Sequence, residues 1–353
     1  MVSGGLRNCY LILVIVLIVS LSFLQSQHNI ADAQISPLVS TRGHYNLETG
    51  QPNNGHNGTD YAASNIPGLQ PGTTCPEEAA IYVHGVWTGI GSFLANFENE
   101  TGIFDRARMS LAANNYSIPV IGFSWDSNTT IITPNNSGWS IAKDIAQDNG
   151  PKLANFIFDY KENCSNTNIR IIAHSLGARV ILNALQDLTG NQEWNSRNFT
   201  VESVHLMGAA VDDEQVSTDP SDADDPGEQV YGQAIESQVI RFYNFFDNED
   251  NALQRPYPSA ERNETALGLN GSEKGISRPK NYQDANVTKE IPLIVDANGD
   301  GKCDLTPLNC TIMSIGDNHL GYVGFVSAEN GNLIDDGAMN VTVNDWVRWK
   351  FKS

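Results

Sequence analysis

Short apolar runs recur along the chain, separated by stretches with helical spacing. Residues 79–84 (AAIYVH) and 119–125 (PVIGFSW) have the length of strands, and residues 92–114 between them repeat apolar side chains at helical intervals. A second helical stretch, residues 139–160, contains Gly150-Pro151. A proline there removes an amide donor and clashes with the preceding turn, which predicts two helices instead of one. Residues 168–173 (NIRIIA) form a further strand that runs directly into a helix over residues 176–188. Residues 204–210, 238–246 and 311–315 predict the remaining strands. Strands alternating with helices imply parallel pairing through right-handed crossovers. The expected class is therefore α/β, with a mostly parallel central sheet and helices on both faces.

Three segments depart from this rhythm. Residues 34–78 are polar and rich in Gly, Asn and Pro, and read as an extended arm with a short strand near residues 38–45. Residues 212–228 (DDEQVSTDPSDADDPGE) are strongly acidic, and residues 251–286 are rich in Gly, Ser, Asn and Pro. Both of the latter are expected as surface loops at strand ends, where α/β sheets bind their ligands. The catalytic domain is expected over residues 79–353.

The first 33 residues change the compartment. Arg7 precedes the apolar run 9–24, and Ala31-Asp32-Ala33 supplies a small-x-small cleavage site before Gln34. This predicts a signal peptide and a secreted or cell-surface protein; left uncleaved, the same run would be a membrane anchor. Removal of Cys9 leaves Cys75, Cys164, Cys303 and Cys310, an even number in an oxidising compartment, which favours disulfides over metal or redox chemistry. Cys303 and Cys310 are close enough in sequence to close one loop. Cys75 and Cys164 each precede a predicted strand and can pair if those strands are neighbours. Asn-x-Ser/Thr sequons such as Asn57, Asn128 and Asn286 suit a glycosylated exported surface.

A length of 353 residues suits one large domain. The formal charge of −20, from 41 acidic against 21 basic residues, argues against a nucleic-acid partner. No nucleotide or flavin fingerprint is present, so no organic cofactor is implied.

The chemistry centres on Ala173-His174-Ser175-Leu176-Gly177, between a predicted strand and a predicted helix. A serine is a weak nucleophile until a base takes its proton, and a tight strand-to-helix turn lifts its hydroxyl clear of the sheet. Small residues two before and two after it relieve crowding in that turn; here the first is Ala173 where glycine is usual. The plainer alternative is a serine that caps a helix. Ser124 in GFSWDS also ends a strand, but lacks the small residue after it and reads as structural. Asp296, Asn298, Asp300, Lys302 and Asp304 occupy alternate positions of a calcium-type loop, with Gly301 at its sharp turn. Pro307 stands where such a loop has its bidentate glutamate, so calcium competes here with a solvated acidic turn stapled by Cys303 and Cys310.

RIIAHSLGARVILNAL, with IYVHGVW upstream and HL near the C-terminus, resembles the α/β-hydrolase family, in particular its lipase and esterase-like branches. The wider set STRGHYN, YVHGVW, GFSWDS, AHSLGARV, FYNFFDNEDNAL and GDNHLGY resembles a group of exported archaeal hydrolases of unassigned substrate, over most of the chain after Ser40. The resemblance implies Ser175 as nucleophile, with an acid and a histidine following later strands in that order. Asp250 follows the strand over 238–246, in a DNAL ending similar to the family's D-x-x-L, and His319 follows the strand over 311–315. His319 would accept the Ser175 proton while Asp250 fixes its tautomer. Asp247 and Glu249 in the same loop, and Asp212 or Asp213 after the preceding strand, remain alternatives for the acid. His84-Gly85-Val86-Trp87 resembles the family's oxyanion loop, which implies the amides of Val86 and Leu176 as donors. Trp87 would supply the second amide instead, or line the acyl pocket.

The implied activity is cleavage of a carboxylic ester, small-molecule or lipid, through an acyl-enzyme. A serine amidase or peptidase would use the same three residues. The rival of a different class is a non-catalytic exported calcium-binding or adhesion module on a hydrolase fold.

Overall fold

The apolar runs become strands because the sheet they form is covered on both sides. The computed structural model describes residues 36–86, 100–129, 137–225, 227–291, 318–326 and 332–350. Its central sheet contains β1 (Leu38–Ser40), β2 (Ala62–Ser64), β3 (Glu78–Val83), β4 (Val120–Ser124), β5 (Asn168–His174), β6 (Val201–Met207), β7 (Val239–Phe246) and β8 (Tyr282–Asn286). The spatial order is β2-β1-β4-β3-β5-β6-β7-β8. Every neighbouring pair is parallel except β1 with β2. A separate antiparallel pair joins β9 (Phe325–Val326) to β10 (Leu333–Asp335).

β3 and β4 are buried along their whole length, so they read as unbroken apolar runs without polar alternation. Period-two geometry sorts β3 between the two faces. Ala79, Ile81 and Val83 pack with Leu153, Ile157, Val180 and Leu185 of the helices Gly150–Asn163 and Gly177–Gly190, whereas Ala80 and Tyr82 pack with Phe104, Leu111, Met339 and Trp346 of the helices Glu100–Ala113 and Met339–Lys350. The break at Gly150-Pro151 occurs as the proline predicts. The helix Ser137–Asp148 ends, Asn149 intervenes, and Gly150–Asn163 starts with the proline in its first turn.

Several expectations need correction. β6 begins at Val201 and stops at Met207, because Gly208 takes a φ of +56° and turns the chain off the sheet. Residues 251–286 are not a loop. They form the short helices Asn251–Gln254, Pro256–Ala260 and Leu267–Asn270 and then the edge strand β8, whose polar sequence (YQDAN) hid it. Polar residues suit that edge because Asp284 accepts bonds from Asn244 Nδ2 at 2.9 Å and Ser272 Oγ at 2.6 Å. Residues 212–228 are likewise only partly a surface loop. Val216 anchors the segment in the core, Tyr231 N and Gly232 N bond the carbonyls of Gln215 and Ser217, and the chain from Glu214 to Ser217 is buried before it turns outward at Thr218.

Ser36–Ser353 form one compact unit, so the polar N-terminal segment contributes β1 and β2 to the same sheet. β3 and β5 are neighbours, and Cys75 and Cys164 ahead of them are bridged with a Cα–Cα distance of 5.5 Å. Among the described residues no helix is long and apolar enough to cross a membrane. The expected signal segment over residues 1–33, residues 92–99, Trp87, the strand expected over 311–315, Cys303, Cys310 and the calcium-type loop lie outside the described residues.

Candidate active site

β5 ends at His174, and the chain must reverse sharply to enter the helix Gly177–Gly190. Ser175 makes that turn at a φ of +55°, in the left-handed region that non-glycine residues seldom occupy. Other described non-glycine residues with positive φ are asparagines and Arg262, and the asparagines are the side chains that tolerate it best. The turn is held on three sides: Ser175 N donates to Met207 O at 2.9 Å, while Ser175 O accepts from Ala178 N at 3.0 Å and Ala210 N at 3.2 Å. Crowding explains the small residue after the serine. A Cβ on Gly177 would stand 2.7 Å from the carbonyl oxygens of Val83 and His84.

The end of β3 lies against the same turn, since a Cβ on Gly85 would stand 2.7 Å from Ser175 Cβ. His84 braces this corner. Its Nδ1 is 2.7 Å from Gly85 O, its Nε2 accepts from Trp125 N at 3.1 Å, and its ring stacks on Trp125. Burial, then the nearby Arg42 guanidinium, hold the imidazole well below its ordinary pKa, so it is neutral and able to accept. The amides of Val86 and Leu176 have no hydrogen-bond acceptor among the described residues, which leaves both available to an anionic oxygen.

His319 opens a single 3-10 turn, His319–Val323. Its Nδ1 lies 2.6 Å from Asp250 Oδ2, and Asp250 is fully buried. The other carboxylate oxygen of Asp250 accepts from Leu253 N at 3.0 Å and so caps the helix Asn251–Gln254. One oxygen fixes the carboxylate to the backbone and the other meets the imidazole. The ring borders the serine turn, because a Cβ on Gly208, the residue after Met207, would stand 3.2 Å from His319 Cε1.

Two of the alternative acids are engaged elsewhere. Asp247 accepts from Glu249 N at 2.9 Å and from Asn318 Nδ2, and burial raises its carboxyl pKa. Asp212 takes the Tyr257 hydroxyl at 2.5 Å and Gln215 Nε2 at 3.2 Å, and burial pushes its pKa up to about 7. Ser124 is buried and accepts from Arg42 Nε at 2.9 Å.

Two residues that sequence reasoning missed hold the histidine. His174 Nε2 lies 2.8 Å from the His319 carbonyl, and burial keeps that imidazole well below its ordinary pKa, so the neutral ring donates there. Asn318, immediately before His319, is pinned by Asp247. The only sequence signals were adjacency: His174 is the variable residue before the serine, and Asn318 precedes the histidine.

A mostly parallel sheet, a strained serine turn after its central strand, a buried acid after a later strand and a histidine paired with that acid from a 3-10 turn further along the chain fit the α/β-hydrolase class. The chain belongs to a family described as alpha/beta hydrolase of unknown function (DUF900), whose model matches residues 77–263, more than half of the chain. No curated protein matches it. Among solved structures it is similar to Trichoderma reesei cutinase, at 18% identity over 47% of this chain and 60% of that one, with a TM-score of 0.26. It is also similar to Aspergillus fumigatus lipase B, at 12% identity over 63% of this chain and 46% of that one, with a TM-score of 0.34. The catalytic core domain of Trichoderma reesei acetyl xylan esterase is 14% identical over 53% of this chain and 93% of that one, with a TM-score of 0.30. The chain thus spans only part of the length of the cutinase and the lipase.

Proposed function

We propose that this chain is an exported serine hydrolase that cleaves carboxylic esters through an acyl-enzyme. In this reading Ser175 Oγ attacks the ester carbonyl carbon and passes its proton to His319 Nε2. Asp250 holds the imidazole by Nδ1 and stabilises the imidazolium. The amides of Val86 and Leu176 stabilise the oxyanion of the tetrahedral intermediate. Its collapse breaks the carbon–oxygen bond, and the leaving alkoxide takes the proton from His319. Water, deprotonated by His319, then releases the acid and restores the serine.

The observation that carries the reading is the 2.6 Å contact between His319 Nδ1 and the fully buried Asp250, on a ring that borders the strained serine turn. A helix-capping serine would need neither a left-handed φ nor such a pair beside it. Export draws support from the Cys75–Cys164 disulfide, which persists in oxidising compartments. The test is hydrolysis of a panel of p-nitrophenyl esters by the chain beginning at Gln34, beside Ser175→Ala and His319→Ala. The expected result is turnover with a chain-length preference in the wild type and a loss of roughly ten-thousand-fold or more in each variant. Equal turnover in wild type and Ser175→Ala would refute it.

A further inference from the structure

Beyond the serine turn, the acidic segment after β6 folds back into the protein. Asp212, Glu214 and Glu228 each bring a carboxylate oxygen to one place, with these atoms within 4.8 Å of one another. Glu214 belongs also to a second such group with Asp224 and Glu264. Glu214 is only 1% exposed, and its Oε1 has no hydrogen-bond partner. Gln215, 3% exposed, ends in the same place. Its Nε2 donates to Glu228 Oε1 at 2.6 Å and Asp212 Oδ2 at 3.2 Å, while its buried Oε1 has no partner. An amide in this position can turn by half a revolution about its last bond and present that oxygen in place of the nitrogen. A cavity of about 610 Å³ lined by Asp212, Gln215, Glu228 and Glu264 gives access from solvent.

The protein's own cations neutralise this group only in part, through the field of the buried Arg179 guanidinium on Asp212. Lys143 is paired with Glu261 and Arg262 with Asp225, and Arg179, which lines the same cavity, pairs with no carboxylate among the described residues. Buried carboxylate and amide oxygens without partners are costly unless something positive joins them. We propose that Asp212, Glu214 and Glu228, with Gln215 Oε1 turned inward, bind a calcium ion. All donors are oxygens, which suits a hard cation, and no imidazole or thiolate is present to select a transition metal. Calcium accepts six to eight oxygens in flexible geometry, whereas magnesium demands a near-ideal octahedron and keeps several of its waters, so a set of carboxylate and amide oxygens supplied by the protein favours calcium. The site differs from the calcium-type loop at residues 296–304 and does not depend on the chemistry at Ser175.

Asp212 is bridged to Ala266 and takes the Tyr257 hydroxyl, so the ion would tie the acidic segment to the chain that follows Asp250. The test is calcium titration of the chain from Gln34 by calorimetry and thermal melting, with Glu214→Gln, Glu228→Gln and, as a control in the other loop, Asp300→Asn. The expected result is a saturable rise in melting temperature, with affinity at least tenfold weaker in both Gln variants and this binding event retained in Asp300→Asn. Terbium emission sensitised by Tyr257 should appear in the wild type and fade with Glu214→Gln. Glu228 is less buried than Glu214, so its isosteric variant carries the test if Glu214→Gln does not fold. Unchanged calcium affinity in Glu228→Gln, or no calcium binding by the wild type up to millimolar concentrations, would overturn the proposal.

Discussion

Two groups of buried carboxylates sit after neighbouring strands, and they are built in opposite ways. After β7, Asp247 and Asp250 are saturated: each has one oxygen on a backbone amide and the other on a side chain of the His319 turn. After β6, Asp212 and Glu214 are crowded with Glu228, the pKa of Glu214 is pushed up to about 9 by burial and by Glu228, and oxygens of Glu214 and Gln215 remain without partners. The first arrangement fixes an imidazole at one orientation, as proton transfer requires. The second is short of positive charge. The difference teaches that burial alone does not mark a catalytic acid; what marks it is where the hydrogen bonds of the carboxylate go.

Asp250→Asn strikes the saturated group hardest. Asparagine still caps Leu253 N but loses the charge on His319, so kcat/KM should fall roughly ten-thousand-fold with little change in melting temperature. Asp250→Ala should in addition cost about 1 kcal/mol of stability. A larger activity loss in Asp247→Asn than in Asp250→Asn would exchange their roles. A third buried carboxylate sharpens the contrast, since Glu78 is paired with a buried arginine, with Arg170 Nη2 at 3.1 Å from Oε1. Arg170→Met should therefore cost about 3–5 kcal/mol in urea unfolding by removing the buried cation paired with Glu78. Asn318→Ala frees the residue before His319 and should lower kcat by roughly tenfold to a hundredfold, measured with the best ester of the panel.

The smallest effect is on pH dependence. His84 and His174 are held neutral by burial, with pKa values well below the ordinary 6.5. The unfolded chain takes up protons below that pH and the folded chain does not, so stability is full above about pH 6.5 and falls as the pH drops. His174→Gln should flatten that slope in denaturant titrations at a series of pH values; an unchanged slope would mean that His174 protonates freely in the fold.

The pattern of positions made the centre of the sheet legible, because β3, β4 and β5 are covered on both faces and their apolar runs admit few other structures. The sheet edge was not legible. β8 carries Asp284, whose bonds to Asn244 and Ser272 give a polar residue its place in a strand, and no periodicity encodes such partners. The same reason hid the buried part of the acidic segment, which one apolar residue, Val216, holds in the core. In the site, the serine turn is local and could be read from five residues. For the acid, the DNAL resemblance pointed to Asp250, but Asp247 and Glu249 in the same loop and Asp212 or Asp213 after the preceding strand stayed open, since what separates them is the direction in which each carboxylate faces after folding.

Ser175 as an activated nucleophile is the central claim, and labelling by a fluorophosphonate probe tests it most directly. Intact protein should gain one phosphonyl group, located by mass spectrometry on Ser175, with labelling lost in Ser175→Ala and slowed strongly in His319→Ala. Wild-type protein that is folded yet unlabelled, or labelled equally after Ser175→Ala, would contradict the account.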